Sequence, residues 1–332
     1  MDWDNLIGHA EQRAWFAEAI AKHRLGGSFL FTGPPGVGKS TFALLLAKTL
    51  LCETQPAAAM QPCNRCDACA QVEAATHPDL LQVAKPENRA TIPVELLIGR
   101  REARMQEGLC HDIRLRPFRN RRRIAIIQDA DDISQEAGNC LLKTLEEPPP
   151  HAILILIGTS EQRQLPTIRS RCQTIRFQAP AGEAGAALLR ARGVTVDDPE
   201  QARRAIELAG GDMDHAAALL EPEAGAFRQS FAELLGRPLL DANALAKMIS
   251  AYVDEAGKEA SKRRHRMREV FGVSVQFYRQ RLRALAAEPP VRPSDLYRLD
   301  RSLDALNEVD RNANQTTLIE AWAVDMQRGR NS

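Results

Sequence analysis

Ser28-Phe29-Leu30-Phe31-Thr32-Gly33-Pro34-Pro35-Gly36-Val37-Gly38-Lys39-Ser40-Thr41 is the stretch whose reading decides the fold. Ser28 to Phe31 is a short apolar run suited to a buried parallel strand, and Thr41 to Leu51 is patterned as a helix. Between them, Gly33 to Ser40 satisfies G-x-x-x-x-G-K-[ST] in full. The glycines let backbone N–H groups turn inward around phosphate oxygens. Lys39 has the reach to touch the β and γ phosphates, and the Ser40 hydroxyl can join Mg²⁺. The following helix points its positive end at the same anion. The expected ligand is ATP with Mg²⁺, held by Gly33, Pro34, Pro35, Gly36, Val37, Gly38, Lys39, Ser40 and Thr41; a glycine-rich turn without a ligand is the alternative.

Upstream, Glu11 to His23 reads as an amphipathic helix that Gly26-Gly27 ends. Downstream, residues 52 to 88 read as loop-rich and Val94 to Gln106 as a helix. Arg123 to Gln128 and Ala152 to Ile157 follow as buried strands, flanking a helix from Glu136 to Glu146 that Pro148-Pro149-Pro150 stops. A short strand, Thr174 to Phe177, closes the region. Strands alternating with helices imply a parallel sheet covered on both faces. Beyond Pro180 only helices are expected: Glu183 to Arg192, Asp198 to Ala209, Met213 to Leu220, then an all-helical segment broken near Pro238 and at Pro289-Pro290. Three domains result, 1–178, 179–221 and 222–332.

The 332 residues, with 44% apolar and 26% charged side chains, match folded globular proteins and disfavour disordered, collagen-like and membrane classes. A net charge of +1 carries no whole-chain signature for nucleic acid. No apolar stretch is long enough to span a bilayer, and the first residues lack a signal-peptide pattern, so the cytoplasm is the expected location.

Four of the seven cysteines crowd between Cys52 and Cys69, as Cys52 followed by Cys63-x-x-Cys66-x-x-Cys69. Clustered thiolates in a cytosolic protein read as metal ligands. Cys52, Cys63, Cys66 and Cys69 complete a tetrahedron, so a structural Zn²⁺ in a module of about residues 52–69 is expected. An iron–sulfur cluster or a redox pair is the alternative. ATP hydrolysis on such a fold calls for an Asp-Glu pair at a second strand end. Here Gln128-Asp129 stands there, with Asp131 and Asp132 beyond, so Asp129 orients Mg²⁺, acts on water, or merely solvates and caps a turn.

With these features in place, Asn139-Cys140-Leu141-Leu142-Lys143-Thr144-Leu145-Glu146-Glu147-Pro148-Pro149 and Ser170-Arg171-Cys172 resemble motifs of the bacterial DNA polymerase III clamp-loader family. The resemblance implies an AAA+ (RecA-like) nucleotide-binding domain, a helical lid and an all-α collar. It also implies a place in a five-subunit ring with delta and gamma/tau subunits that loads a sliding clamp onto primed DNA, as a component of the DNA polymerase holoenzyme. Arg171 is then an arginine finger acting in trans on a neighbour's ATP site. Gln128-Asp129, the stretch Gly211-Asp212-Met213-Asp214 with Asp214 where the motor subunit has an arginine, Thr76-His77-Pro78-Asp79 and the chain length resemble the delta-prime type more than gamma/tau. An active gamma/tau-type ATPase working through Lys39 and Asp129 is the alternative.

Two basic segments, Arg114, Arg116, Arg119, Arg121, Arg122 and Arg123, and Lys262-Arg263-Arg264-His265-Arg266, are expected to be solvated faces, with DNA phosphate contact the alternative.

Overall fold

The apolar run at residue 28 forms strand β1 (Ser28–Thr32), joined by β2 (Leu80–Val83), β3 (Arg123–Ile127), β4 (Ala152–Ile157) and β5 (Gln173–Arg176) in one parallel sheet of order β2-β3-β4-β1-β5. The structure, a computed structural model, describes residues 1–86, 89, 91–119, 122–220, 222–257, 260–285, 293–310 and 313–329. Residue 88, Arg121, Glu221, Pro289 and Pro290, named above, lie outside these residues, as does the side chain of His265.

Both faces of the sheet are covered, which is why β1 and β4 are buried at every residue and read as unbroken apolar runs. Helices α1 (Ala10–Ala21) and α2 (Lys39–Leu51) cover one face. Successive strand side chains point to opposite faces, so Phe29 and Phe31 meet Phe16 and Phe42 here, with ring centroids 5.2 Å apart for Phe16–Phe29 and 5.8 Å for Phe31–Phe42. Helix α3 (Asp67–Glu73) packs on α2, and the buried Lys48 of α2 pairs with Glu73 of α3 at 2.6 Å. The opposite face carries α4 (Val94–Ile98), α5 (Leu109–Asp112), α6 (Gln135–Glu146) and α7 (Pro166–Arg169). Leu97, Leu109, Leu141 and Ile168 from these helices share a buried cluster with Leu30, Ile127 and Leu154. Ser134 caps α6 by accepting the Ala137 N–H at 3.2 Å.

Two expectations are corrected. The loop-rich reading of residues 52–88 missed α3 and β2; β2 has only four residues and lies at the sheet edge, so its burial is too mixed over too short a run to show as a period. The helix expected from Val94 to Gln106 ends at Ile98, because Gly99 adopts φ +84° and the chain doubles back until Met105 N–H bonds to Ile98 C=O at 2.7 Å.

Helix α8 (Gly182–Ala191) follows the sheet, and the chain divides into two compact units, Met1–Ala191 with Gly210–Asp214, and Arg192–Ala209 with His215–Ser332. Helix α9 (Pro199–Leu208) lies in the second unit, and the later residues of α10 (Met213–Leu220) belong to it. It continues through α11 (Pro222–Leu235), α12 (Ala242–Asp254), α13 (Ala260–Leu285), α14 (Pro293–Asp310) and α15 (Gln315–Arg328). Its core gathers Phe231, Phe271, Tyr278 and Trp322, all fully buried, and Trp322 Nε1–H finds the Ser302 hydroxyl at 3.3 Å. No helix among the described residues is long and apolar enough to cross a membrane.

Candidate functional site

The phosphate loop leaves β1 and enters α2 with φ +151° at Gly33, +72° at Gly36 and +102° at Gly38. Gly33 is forced by contact as well as by conformation: a Cβ there would lie 2.2 Å from the Phe177 carbonyl oxygen at the end of β5. Gly33→Ala is therefore expected to destabilise the first unit by about 3 kcal/mol or more, seen as a lower denaturant midpoint. An unchanged midpoint would show that the loop tolerates a side chain there.

Lys39 is buried and donates to the carbonyls of Gly33 and Pro34, each at 2.6 Å. Burial pushes its amine down to about 8, against the opposing pull of Asp131, Asp212 and Asp214. The Ser40 hydroxyl donates to Gln128 Oε1 at 2.8 Å, so the loop and the end of β3 meet as expected. The group facing Ser40 there is an amide. Asp129 itself sits at φ +52° and its carboxylate accepts the Lys85 backbone N–H at 3.2 Å, while Asp132 pairs with Lys85 Nζ at 2.5 Å.

Three contributors escaped the sequence reading. Asp131 was seen only as part of a solvated turn, yet it accepts Thr159 N–H at 2.9 Å, the Thr159 hydroxyl at 2.5 Å and the Gln164 amide. Thr159 C=O in turn accepts the Gly33 N–H at 3.1 Å, which ties this network to the phosphate loop. The signal was available for Thr159, the first hydroxyl after the apolar β4. It was not available for His9, whose Nε2 lies 2.7 Å from Val37 C=O and whose burial, with Lys39 nearby, lowers its pKa. Residues Gly210 to Asp214 also lie on the loop, through Met213 N–H to Pro35 C=O at 3.1 Å.

The four cysteines converge. Their sulfurs all lie within 4.8 Å of one another, and Cys63 and Cys69 are 3.9 Å apart. A tetrahedral ion about 2.3 Å from each sulfur sets sulfurs about 3.8 Å apart. Backbone N–H groups of Cys63 and Cys66 point at Cys52 Sγ (3.4 Å) and Cys63 Sγ (3.3 Å), a donor set that stabilises thiolates. The Thr54 hydroxyl and then backbone amides hold the Cys63 thiol down at about 5, whereas burial raises that of Cys69. The donor set and spacing fit a metal ion.

Arg171 lies just before β5, whose Gln173 is level with Phe29 and whose Arg176 is level with Thr32. From Gln173 to the level of Gly33 is roughly 13 Å along the strand, so Arg171 lies at the opposite end of the strands from its own phosphate loop. Its guanidinium meets the Glu146 carboxylate through Nε and Nη2, both at 2.5 Å, joining the two sequence motifs at one point.

The basic segments are partly absorbed by the fold. Arg119 pairs with Glu53, and Asp79 accepts the Phe118 N–H at 2.8 Å and lies 3.9 Å from Arg123. Arg263 pairs with Asp254 at 3.2 Å and Arg266 with Glu255 at 3.0 Å.

Residues 8–181 match the family model described as "DNA polymerase III, delta subunit". The chain belongs to this family. It is a clamp-loader family of DNA polymerase III subunits, and the relatives named delta-prime and tau both fall on this chain. The delta-prime subunit of Bacillus subtilis is 36% identical over 160 residues, 48% of this chain and 44% of that protein. That of Pseudomonas aeruginosa is 32% identical over 204 residues, 60% of this chain and 57% of its own length. The tau subunit of Escherichia coli K12 is 31% identical over 175 residues, 53% of this chain and 25% of its own. The chain thus spans less than two thirds of the length of each of these relatives. A gamma subunit-related protein of Thermotoga maritima superposes with a TM-score of 0.44 at 16% identity, over 96% of this chain and 99% of that one.

Proposed function

We propose that this chain is a delta-prime-type clamp-loader subunit, largely a stator. In this reading it binds nucleotide with little turnover and presents Arg171 to the ATP site of a neighbouring gamma/tau motor. The observation that carries the reading is the Ser40–Gln128 hydrogen bond: the position facing the Mg²⁺-binding hydroxyl holds a neutral amide, while Asp131 is committed to Thr159 and Gln164. Hydrolysis needs a carboxylate to hold the metal and another to polarise water; here an amide stands opposite Ser40 and Asp131 is held by Thr159 and Gln164, which leaves Asp129 alone for both tasks. The unbroken loop and Lys39 supply what nucleotide binding needs, with Mg²⁺ brought by Ser40 and the phosphates. They also favour the second reading, an active gamma/tau-type ATPase working through Lys39 and Asp129.

The strand order and the helical remainder support an AAA+ architecture with domains at 1–178, 179–221 and 222–332, the second a lid and the third a collar that holds the ring. Cys52, Cys63, Cys66 and Cys69 hold a structural Zn²⁺; with no open position the ion supplies rigidity rather than chemistry. Partners are the delta and gamma/tau subunits and, through the complex, the sliding clamp and primed DNA in the cytoplasm. Purified alone with ATP, clamp and primed DNA, the chain is expected to bind nucleotide and turn it over far more slowly than about one per second, the lower range of ordinary enzymes. Turnover at that rate overturns the stator reading in favour of the ATPase.

A further inference from the structure

We propose that Glu146 is a positioning residue for Arg171, a counter-ion that parks the guanidinium until a neighbour's phosphate displaces it; this rests on the reading of Arg171 as a finger in trans. The guanidinium has five N–H donors. Nε and Nη2 both face Glu146 Oε1 at 2.5 Å, and Nη1 serves the Thr167 carbonyl at 2.9 Å and the Ser170 hydroxyl at 3.1 Å. Nη2 touches Glu146 as an ion pair only, so Nε and Nη1 hold the hydrogen bonds. A phosphate engaged through two parallel N–H bonds needs donors on two nitrogens, and Nε and Nη1 are already taken, so engagement requires Arg171 to give up a partner it already holds.

The place of Glu146 strengthens the case. It is the last residue of α6, and Glu147 caps the helix, so two carboxylates stand at the negative end of a helix dipole, where acidic side chains are unfavourable. Arg171 offsets that charge. Both members of the pair reach solvent, so the pair contributes little to folding and can exchange partners cheaply. A buried pair would be locked, and a fully solvated arginine would not be held in one direction; this pair is anchored and exchangeable. Glu146 thereby sets the threshold at which the finger leaves its own subunit.

The test uses the assembled loader, with this chain carrying Glu146→Gln, Arg171→Ala or both, and ATPase measured with and without clamp and primed DNA. The amide keeps the shape of the carboxylate and loses its charge. Glu146→Gln is expected to raise basal turnover without clamp and DNA about fivefold and to lower the KM for ATP, because a neutral hydrogen bond holds the guanidinium less tightly than an ionic one. The increase should vanish in the double variant. Thermal melting of the isolated chain should shift little between wild type and Glu146→Gln. A fall or no change in basal turnover with Glu146→Gln, or an increase that survives Arg171→Ala, overturns the proposal while the finger reading stands on Arg171→Ala alone. No effect of Arg171→Ala overturns the finger reading itself.

Discussion

Cys66→Ser is expected to take the purified chain from about one zinc per molecule to a small fraction of that. Zinc held by several cysteine or histidine ligands in small modules binds with about 10–16 kcal/mol, most of which appears as folding energy. Serine supplies neither a thiolate nor comparable affinity, so the three remaining sulfurs lose the ion on dialysis against a chelator. The effect reaches beyond the cysteines. Cys52 ends α2, Cys66 caps α3, and Glu53 next to Cys52 pairs with Arg119, so loss of the ion frees both helix ends and the anchor of the first basic segment. Limited proteolysis should then open cleavage sites between Cys52 and Glu73, with the sheet still folded. Metal analysis is the direct check, and full zinc retention in Cys66→Ser refutes the four-cysteine site.

Arg171→Ala should leave nucleotide binding to this chain alone unchanged and lower ATP turnover at the neighbouring motor site in the assembled loader. An arginine finger is worth about 10³–10⁵ in kcat, so the affected site is expected to fall nearly silent. The separation in effect follows from geometry: Arg171 precedes β5, whereas Gly33 to Ser40 follow β1, at the opposite end of the parallel strands. Nucleotide titration of the isolated chain and steady-state ATPase of the complex make the two measurements. Equal activity of variant and wild-type complexes removes the finger assignment.

What could be read from sequence was what local chemistry encodes. The strand, phosphate loop and helix around Lys39 were legible because an apolar run, spaced glycines and a lysine occupy consecutive positions. The cysteine cluster was legible because thiols are rare and their spacing is short. Pairings across long separations were not. Ser40 and Gln128 are 88 residues apart, and Glu146 and Arg171 are 25 apart, so neither hydrogen bond leaves a mark in a local window. The basic segment around Arg119 read as a charged run for the same reason, since its partners Glu53 and Asp79 stand 66 and 40 residues away. β2 was hidden differently: with four residues at an edge, Leu80 to Val83 is too short and too mixed in burial for its pattern to separate from a loop. Gly99 was in plain view, but only the structure gives it the φ of +84° that ends the helix at Ile98.

The opposed placement of loop and arginine has a consequence in symmetry. If one chain's finger end serves another's loop end, the contact joins two different surfaces, and two such subunits cannot satisfy each other about a two-fold axis. Such a contact propagates in one direction, closing into a ring or continuing as a helix. An arc that stays open has one subunit whose loop meets no finger and, at its other end, one whose finger meets no loop. A subunit with a silent loop and an intact finger loses nothing by standing at the end where its own loop goes unserved. This gives the assembly polarity: a first position and a last, with hydrolysis confined to the junctions between them.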